Sequence, residues 1–190
     1  MWEWGDAIYA AKSRAALSLG LDISGISVRN AREAAEADGV TSTTKFFQAD
    51  YKNTCLPSES IDVIICSGML HHLDLSYAMP ELRRVTKPGG KFLAVEALDY
   101  NPAIKLYRMM TPAMRTDWDK AHILDLDDLN FASRFSDVKR VRFWHVVGYI
   151  SGKYPSMFSL LDRIDRIFEK IPYFQRMAWI FTFELCKRID

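Results

Sequence analysis

Ile61-Asp-Val-Ile-Ile-Cys-Ser-Gly-Met-Leu-His-His-Leu73, followed shortly by Leu82-Arg-Arg-Val-Thr-Lys-Pro-Gly-Gly-Lys91, decides the fold class of this chain. The first run opens as a short, continuous apolar stretch rich in β-branched residues, the pattern of a strand buried on both faces. A loop at Ser67–His72, a helix over Leu75–Thr86, a Pro88-Gly89 turn and a second apolar strand over Lys91–Leu98 complete the unit. Pro80 lies inside that helix, where it can shift the start. Gly89 suits the turn because its second central position takes positive φ. Open α/β sheets bind ligands just beyond the carboxyl ends of their strands, so Ser67–His72 is expected to face a ligand.

Reading outward, residues 6–16 are Ala-rich and read as a helix, and Leu17–Ile23 as a strand carrying Asp22 near its end. Ser27–Ala37 is a second helix, with Ser27 as its cap and Gly39 just past its end. Lys45–Ala49 reads as a strand ending at Asp50, and Tyr51–Ser60, with Pro57, as a loop. Strands and helices alternating in this way indicate a parallel sheet with helices on both faces. Beyond Asp99 the pattern changes to helical pieces over 101–136, a strand over Val138–Val147 and a closing strand over Met177–Leu185. Ser156–Ile171 is amphipathic, with Met157, Leu160, Leu161, Ile164, Ile167, Phe168 and Ile171 in one stripe. Its polar face mixes Asp162, Arg163, Asp165, Arg166, Glu169 and Lys170. That mixture favours packing on the sheet, or a lid, over contact with a membrane.

At 190 residues and 49% apolar composition, the chain is expected to form one domain with a real core. A net charge of +1 gives no general pull toward nucleic acid, although residues 139–190 hold ten Lys/Arg against five Asp/Glu. Cys55, Cys66 and Cys186 share no metal-like spacing, and their odd number argues against a disulfide framework. Glu3 and Asp6 stand where a signal peptide would be basic, and no apolar run is long enough to span a membrane. A cytoplasmic location is expected.

Four features, in order, carry a resemblance: Leu21-Asp22-Ile23-Ser24, Gln48-Ala49-Asp50, Ser67–Leu73 and Leu82–Gly90. Together they resemble the class I S-adenosylmethionine-dependent methyltransferases, of the methyltransferase domain type 11/12, over roughly residues 5–98. The resemblance implies a Rossmann-like, mostly parallel sheet with an antiparallel C-terminal strand. It implies one methyltransferase-like domain over 1–190, with a cofactor-binding core at 5–98. Helical acceptor or lid insertions would occupy 99–136 and 148–176, and a strand pair 137–147 and 177–187. The family's first, central strand and most of its glycine-rich loop are missing, so the chain resembles an N-terminally shortened form. Trp4-Gly5-Asp6 would be the tail of that loop. Loss of the central strand would leave two inner edges unpaired or force those strands onto each other.

By the same resemblance S-adenosyl-L-methionine is the cofactor. Asp22 would accept from the ribose hydroxyls, with Ile23 beside it, and Asp50 from the adenine amino group, with Tyr51 lining the ring. Ser67, Gly68 and Met69 would lie under the cofactor, Leu70 against its sulfonium end, and Gly5 in the remnant loop. Methyl transfer needs little covalent help from protein, and a base only where the acceptor loses a proton. The candidates are His72, His122 and Glu96. Adjacent residues seldom face one ion, so His71 and His72 are not read as metal ligands. Tyr100, Tyr107, Arg108, Arg115 and Trp118 suit a small acceptor that is anionic, sugar-like or lipid-linked, the last involving peripheral membrane contact. Asn101-Pro102 is misplaced for an amino-group DNA methyltransferase, so nucleic acid is not expected as substrate. Two other classes compete: a non-catalytic methyltransferase-like interaction module, and an NAD-dependent dehydrogenase, which the missing GxGxxG disfavours.

Overall fold

A computed structural model describes residues 5–111 and 123–189. The chain divides into two compact units, with the boundary between Ser58 and Glu59.

The first unit contains α1 (Gly5–Lys12), β1 (Ser18–Asp22), α2 (Gly25–Ala37) and β2 (Thr44–Gln48). β1 and β2 pair in parallel from Ser18↔Thr44 to Asp22↔Gln48. The cap of α2 is Ser24, whose Oγ accepts from the Ser27 N–H at 3.3 Å, so Ser27 lies inside the helix it was expected to begin. Gly39 stands past the helix end with φ 68°, the left-handed conformation that glycine tolerates best. Val28, Ala31 and Ala35 recur at helical spacing and bury against Ile8 and Phe46. Only a small core results, because two of its helix residues are alanines.

The second unit contains β3 (Ile61–Ser67), α3 (Leu75–Val85), β4 (Thr86–Ala97), α4 (Pro102–Met110), α5 (Leu126–Ala132), β5 (Asp137–Trp144), α6 (Phe158–Phe168) and β6 (Ile180–Cys186). Its sheet has the order β3-β4-β6-β5; β3 and β4 are parallel, and β6 runs antiparallel to both its neighbours. This is the α/β arrangement with an antiparallel C-terminal strand that the sequence led us to expect. Alternation along β6 turns Phe181, Phe183 and Leu185 into a core with Phe92, Ala94, Leu70, Met79 and Phe143. α3 runs through Pro80 and ends at Val85. The expected cover on both sheet faces is incomplete, since Val63, Ile65 and Val95 remain exposed.

The Pro-Gly-Gly stretch is a bulge within β4 rather than a turn before it. Pairing jumps from Ile61↔Thr86 to Val63↔Lys91. Gly89 takes φ 73° there, and a Cβ on Gly90 would press on the Lys87 and Asp62 carbonyls. Among the described residues β1 and β3 belong to separate sheets, of two and four strands. No helix among the described residues is long and apolar enough to cross a membrane.

Candidate functional site

Parallel pairing in the first unit brings its two candidate acids to one edge. Asp22 ends β1, Asp50 lies two residues past β2, and the Ala49 N–H donates to the Asp22 carbonyl at 2.9 Å. Each carboxylate is engaged by its own turn: Asp22 Oδ1 accepts from Ser24 N–H (2.6 Å), and Asp50 Oδ1 from Lys52 N–H (2.9 Å). Such Asx turns fix the direction of a side chain while using one of its two oxygens. Ile23 is exposed beside Asp22, Tyr51 is half-buried beside Asp50, and Gly5 opens α1 with no atom within 4 Å of a would-be Cβ.

In the second unit the loop after β3 is built around one buried side chain. Glu96, near the end of β4, is 1% exposed. Its Oε1 accepts from the N–H groups of Met69 (2.9 Å) and Leu70 (2.7 Å), and its Oε2 lies 2.8 Å from His71 Nδ1. A carboxylate can only accept, so Nδ1 carries the proton and Nε2 becomes the basic nitrogen of the neutral ring. The same bonds cap the 3₁₀ turn Leu70–His72, whose N-terminal donors would otherwise be unsatisfied. Gly68 makes the chain reversal possible: its φ is 62°, its N–H extends the ladder to the Val95 carbonyl (2.7 Å), and the space around its Cα is open. Ser67 and Met69 on either side of it are exposed.

Several expected roles change. Leu70 is fully buried in the core, so it packs the turn down instead of facing a ligand. His72 is exposed, its ring tilted against that of His71 at 4.0 Å, and the Nδ1 of His71 lies against the Glu96 carboxylate. Glu96 is committed to three donors. It therefore positions the turn and the imidazole and is badly placed to be a base itself. Sequence reasoning missed His71 because its partner lies 25 residues away and no local pattern joins them. His122, Arg115 and Trp118 lie outside the described residues. Tyr100 is half-buried, its hydroxyl accepting from Leu126 N–H (3.3 Å) and its ring facing Arg176 at 5.6 Å. Asn101 is buried and caps α4, accepting from Ala103 and Ile104 N–H groups while donating to the Met177 carbonyl. That structural duty accounts for it.

A family model described as a methyltransferase domain matches residues 5–94. No curated protein matches the chain in sequence. Among solved structures, the geranyl diphosphate C-methyltransferase of Streptomyces coelicolor A3(2), determined with S-adenosyl-L-homocysteine, is similar with a TM-score of 0.72 at 12% identity. That match covers 97% of this chain and 67% of the other. The YcgJ protein of Bacillus subtilis aligns over the whole chain and 90% of its own, with a TM-score of 0.63 and 18% identity. The [4+2]-cyclase SpnF is similar at a TM-score of 0.68 and 16% identity, over 100% of this chain and 74% of its own. At such identities these likenesses establish the fold, and a fold alone does not fix a reaction.

Proposed function

We propose that this chain, whose residues 5–94 match a methyltransferase domain, is a class I S-adenosylmethionine-dependent methyltransferase acting on a small-molecule acceptor in the cytoplasm. The observation that carries the reading is the Glu96-held turn at Gly68–His71, on the strand end where this fold class receives its ligand. Taken unit by unit, residues of the chain suit parts of the cofactor. Asp22 and Asp50 each keep a second carboxylate oxygen for the ribose hydroxyls and the adenine amino group, with Ile23 and Tyr51 against the ring. Ser67, Gly68 and Met69 offer backbone that a ligand can approach closely, and Gly5 does the same at the start of α1.

S-adenosyl-L-methionine, when bound, supplies an electrophilic methyl carbon on sulfur. The chain's own contribution is to bind, orient and exclude water. Where the acceptor is a hydroxyl, His71 Nε2 would take its proton as the acceptor oxygen bonds to the methyl carbon and the carbon–sulfur bond breaks, the thioether S-adenosyl-L-homocysteine leaving. Glu96 then stabilises the imidazolium through Nδ1–H, as the carboxylate does in other carboxylate–histidine pairs. Glu96 is thus a positioning residue.

Calorimetric titration with S-adenosyl-L-homocysteine tests the binding part. Saturable binding that weakens by about 10–100-fold in Asp22→Ala, the worth of a hydrogen bond to a charged group, is expected. Binding of NADH in its place would make the chain a dehydrogenase, and binding of neither would leave an interaction module. Methyl transfer must be read directly with a labelled donor, since a [4+2]-cyclase shares the fold. His71→Gln should lower turnover by about 10²-fold or more, with the cofactor affinity kept.

A further inference from the structure

The amphipathic segment does not bury its apolar stripe. In α6 the inward residues are Leu161 and, unexpectedly, Asp165, which is 4% exposed and accepts from the N–H groups of Val147 (2.8 Å) and Gly148 (2.9 Å). Leu160 and Ile167, two turns apart, point outward at 55% and 61% exposure, and Ile171 continues the ridge just past the helix end. An isolated exposed leucine is ordinary, but a continuous ridge on one helix face marks a contact surface.

The charges around the ridge choose the occupant. Arg163 follows Leu160 by three residues and precedes Ile167 by four, so it shares their face, and Lys170 follows Ile167 by three. Of the acids on this segment, Asp165 is consumed by backbone donors, Asp162 is paired with Arg166 at 2.9 Å, and Glu169 is half-buried and, nine residues after Leu160, on the opposite side of the helix. Neither Arg163 nor Lys170 has an ion pair among the described residues. The polar face that looks mixed in sequence is therefore sorted in the fold: the acids are bonded, paired or turned away, and Arg163 and Lys170 border the apolar ridge. Arg and Lys stems can cover apolar surface while their charged ends reach outward, as in helices that rest in the headgroup layer.

We propose that the Leu160–Ile171 ridge docks on an anionic phospholipid surface, with Arg163 and Lys170 against the headgroups. The proposal does not depend on the methyl-transfer reading. The full chain is sedimented with vesicles of phosphatidylcholine alone and of phosphatidylcholine mixed with phosphatidylglycerol, at low and high salt. It should bind the anionic vesicles at least about tenfold better, with the preference fading as salt rises. The exposed double variant Leu160→Asp/Ile167→Asp should lose about tenfold or more in partitioning while keeping its circular dichroism and melting temperature. Arg163→Glu/Lys170→Glu should erase the lipid preference. Equal binding to both vesicles, no binding, or binding indifferent to these variants overturns the proposal. So does self-association in sedimentation velocity that the Leu160→Asp/Ile167→Asp variant abolishes, since the ridge would then be an interface between copies.

Discussion

Two pairs of carboxylates, one pair in each unit, are used in opposite ways. In the first, Asp22 and Asp50 bond to N–H groups only two residues ahead, and neither is buried. In the second, Glu96 and Asp165 are buried, and each clamps two consecutive backbone N–H groups from a turn that follows a distant strand end. Local turns aim an acid without consuming it, which suits groups that must meet a ligand. Long-range clamps consume the acid to hold a loop, which suits a scaffold. The difference separates acids left accessible from acids used in construction, and it also sets where stability should lie.

The largest expected contrast is between the cores. β4 and β6 are each paired on both sides and bury Phe92, Phe181 and Phe183, whereas β1 and β2 form a two-stranded sheet over a small cluster. Two strands alone are marginal. Amide hydrogen exchange should show β1 and β2 opening at a free energy about 3 kcal/mol or more below that of β4 and β6, roughly two orders of magnitude in protection. Equal protection throughout would break the comparison, because the chain would then open as one cooperative body.

Next comes removal of a clamp against removal of a local acid. Glu96→Ala leaves two N–H groups and the His71 ring without their buried acceptor, and should cost about 3 kcal/mol or more in urea unfolding. Asp22→Ala removes one solvent-accessible turn bond and should cost within about 1 kcal/mol. A Glu96→Ala protein as stable as the parent would mean that the turn does not rely on this carboxylate.

These contrasts mark what the sequence discloses. The strands at 18–22, 44–48 and 61–67 were legible because each is an apolar run of strand length between breakers, and Gly39 and Gly89 announced left-handed backbone by type. Asp22 and Asp50 were legible as strand-end acids because their register is local. Glu96 and His71 were not legible as a pair: their bond spans 25 residues, and only the β3–β4 pairing brings them together. For the same reason the stripe of residues 156–171 misled. A helical wheel cannot foresee that Asp165 is drawn inward by donors 17 and 18 residues upstream, turning part of the stripe toward solvent.

The second clamp should behave like a weaker Glu96. It holds a turn at Val147–Gly148 that is half-buried rather than buried. Asp165→Ala should therefore cost about 2 kcal/mol. Gly148→Ala should cost about 1–3 kcal/mol by crowding the same carboxylate and His145 Nδ1. If Gly148→Ala is neutral while Asp165→Ala is costly, the clamp yields by moving and is looser than Glu96.

The smallest effect tests whether crowding of acids around Asp165 reaches a neighbour. Burial first, then the carboxylates of Asp165 and Asp162, push the Glu169 carboxyl above its ordinary value of 4.5. An acid whose pKa is higher in the folded state holds its proton more tightly there. It therefore costs stability once the pH exceeds that raised value, and the cost fades as pH falls through the ordinary value. Glu169→Gln should then stabilise the protein at neutral pH by roughly a few tenths of a kcal/mol, since solvent screens a partly exposed group. Below pH 4.5 the variant and parent should unfold at the same urea concentration. Because the Asp165 charge is one cause of the shift, the neutral-pH gain should shrink in an Asp165→Asn background. A gain of the same size in both backgrounds would assign the shift to burial alone and confine the influence of the clamp to the turn it holds.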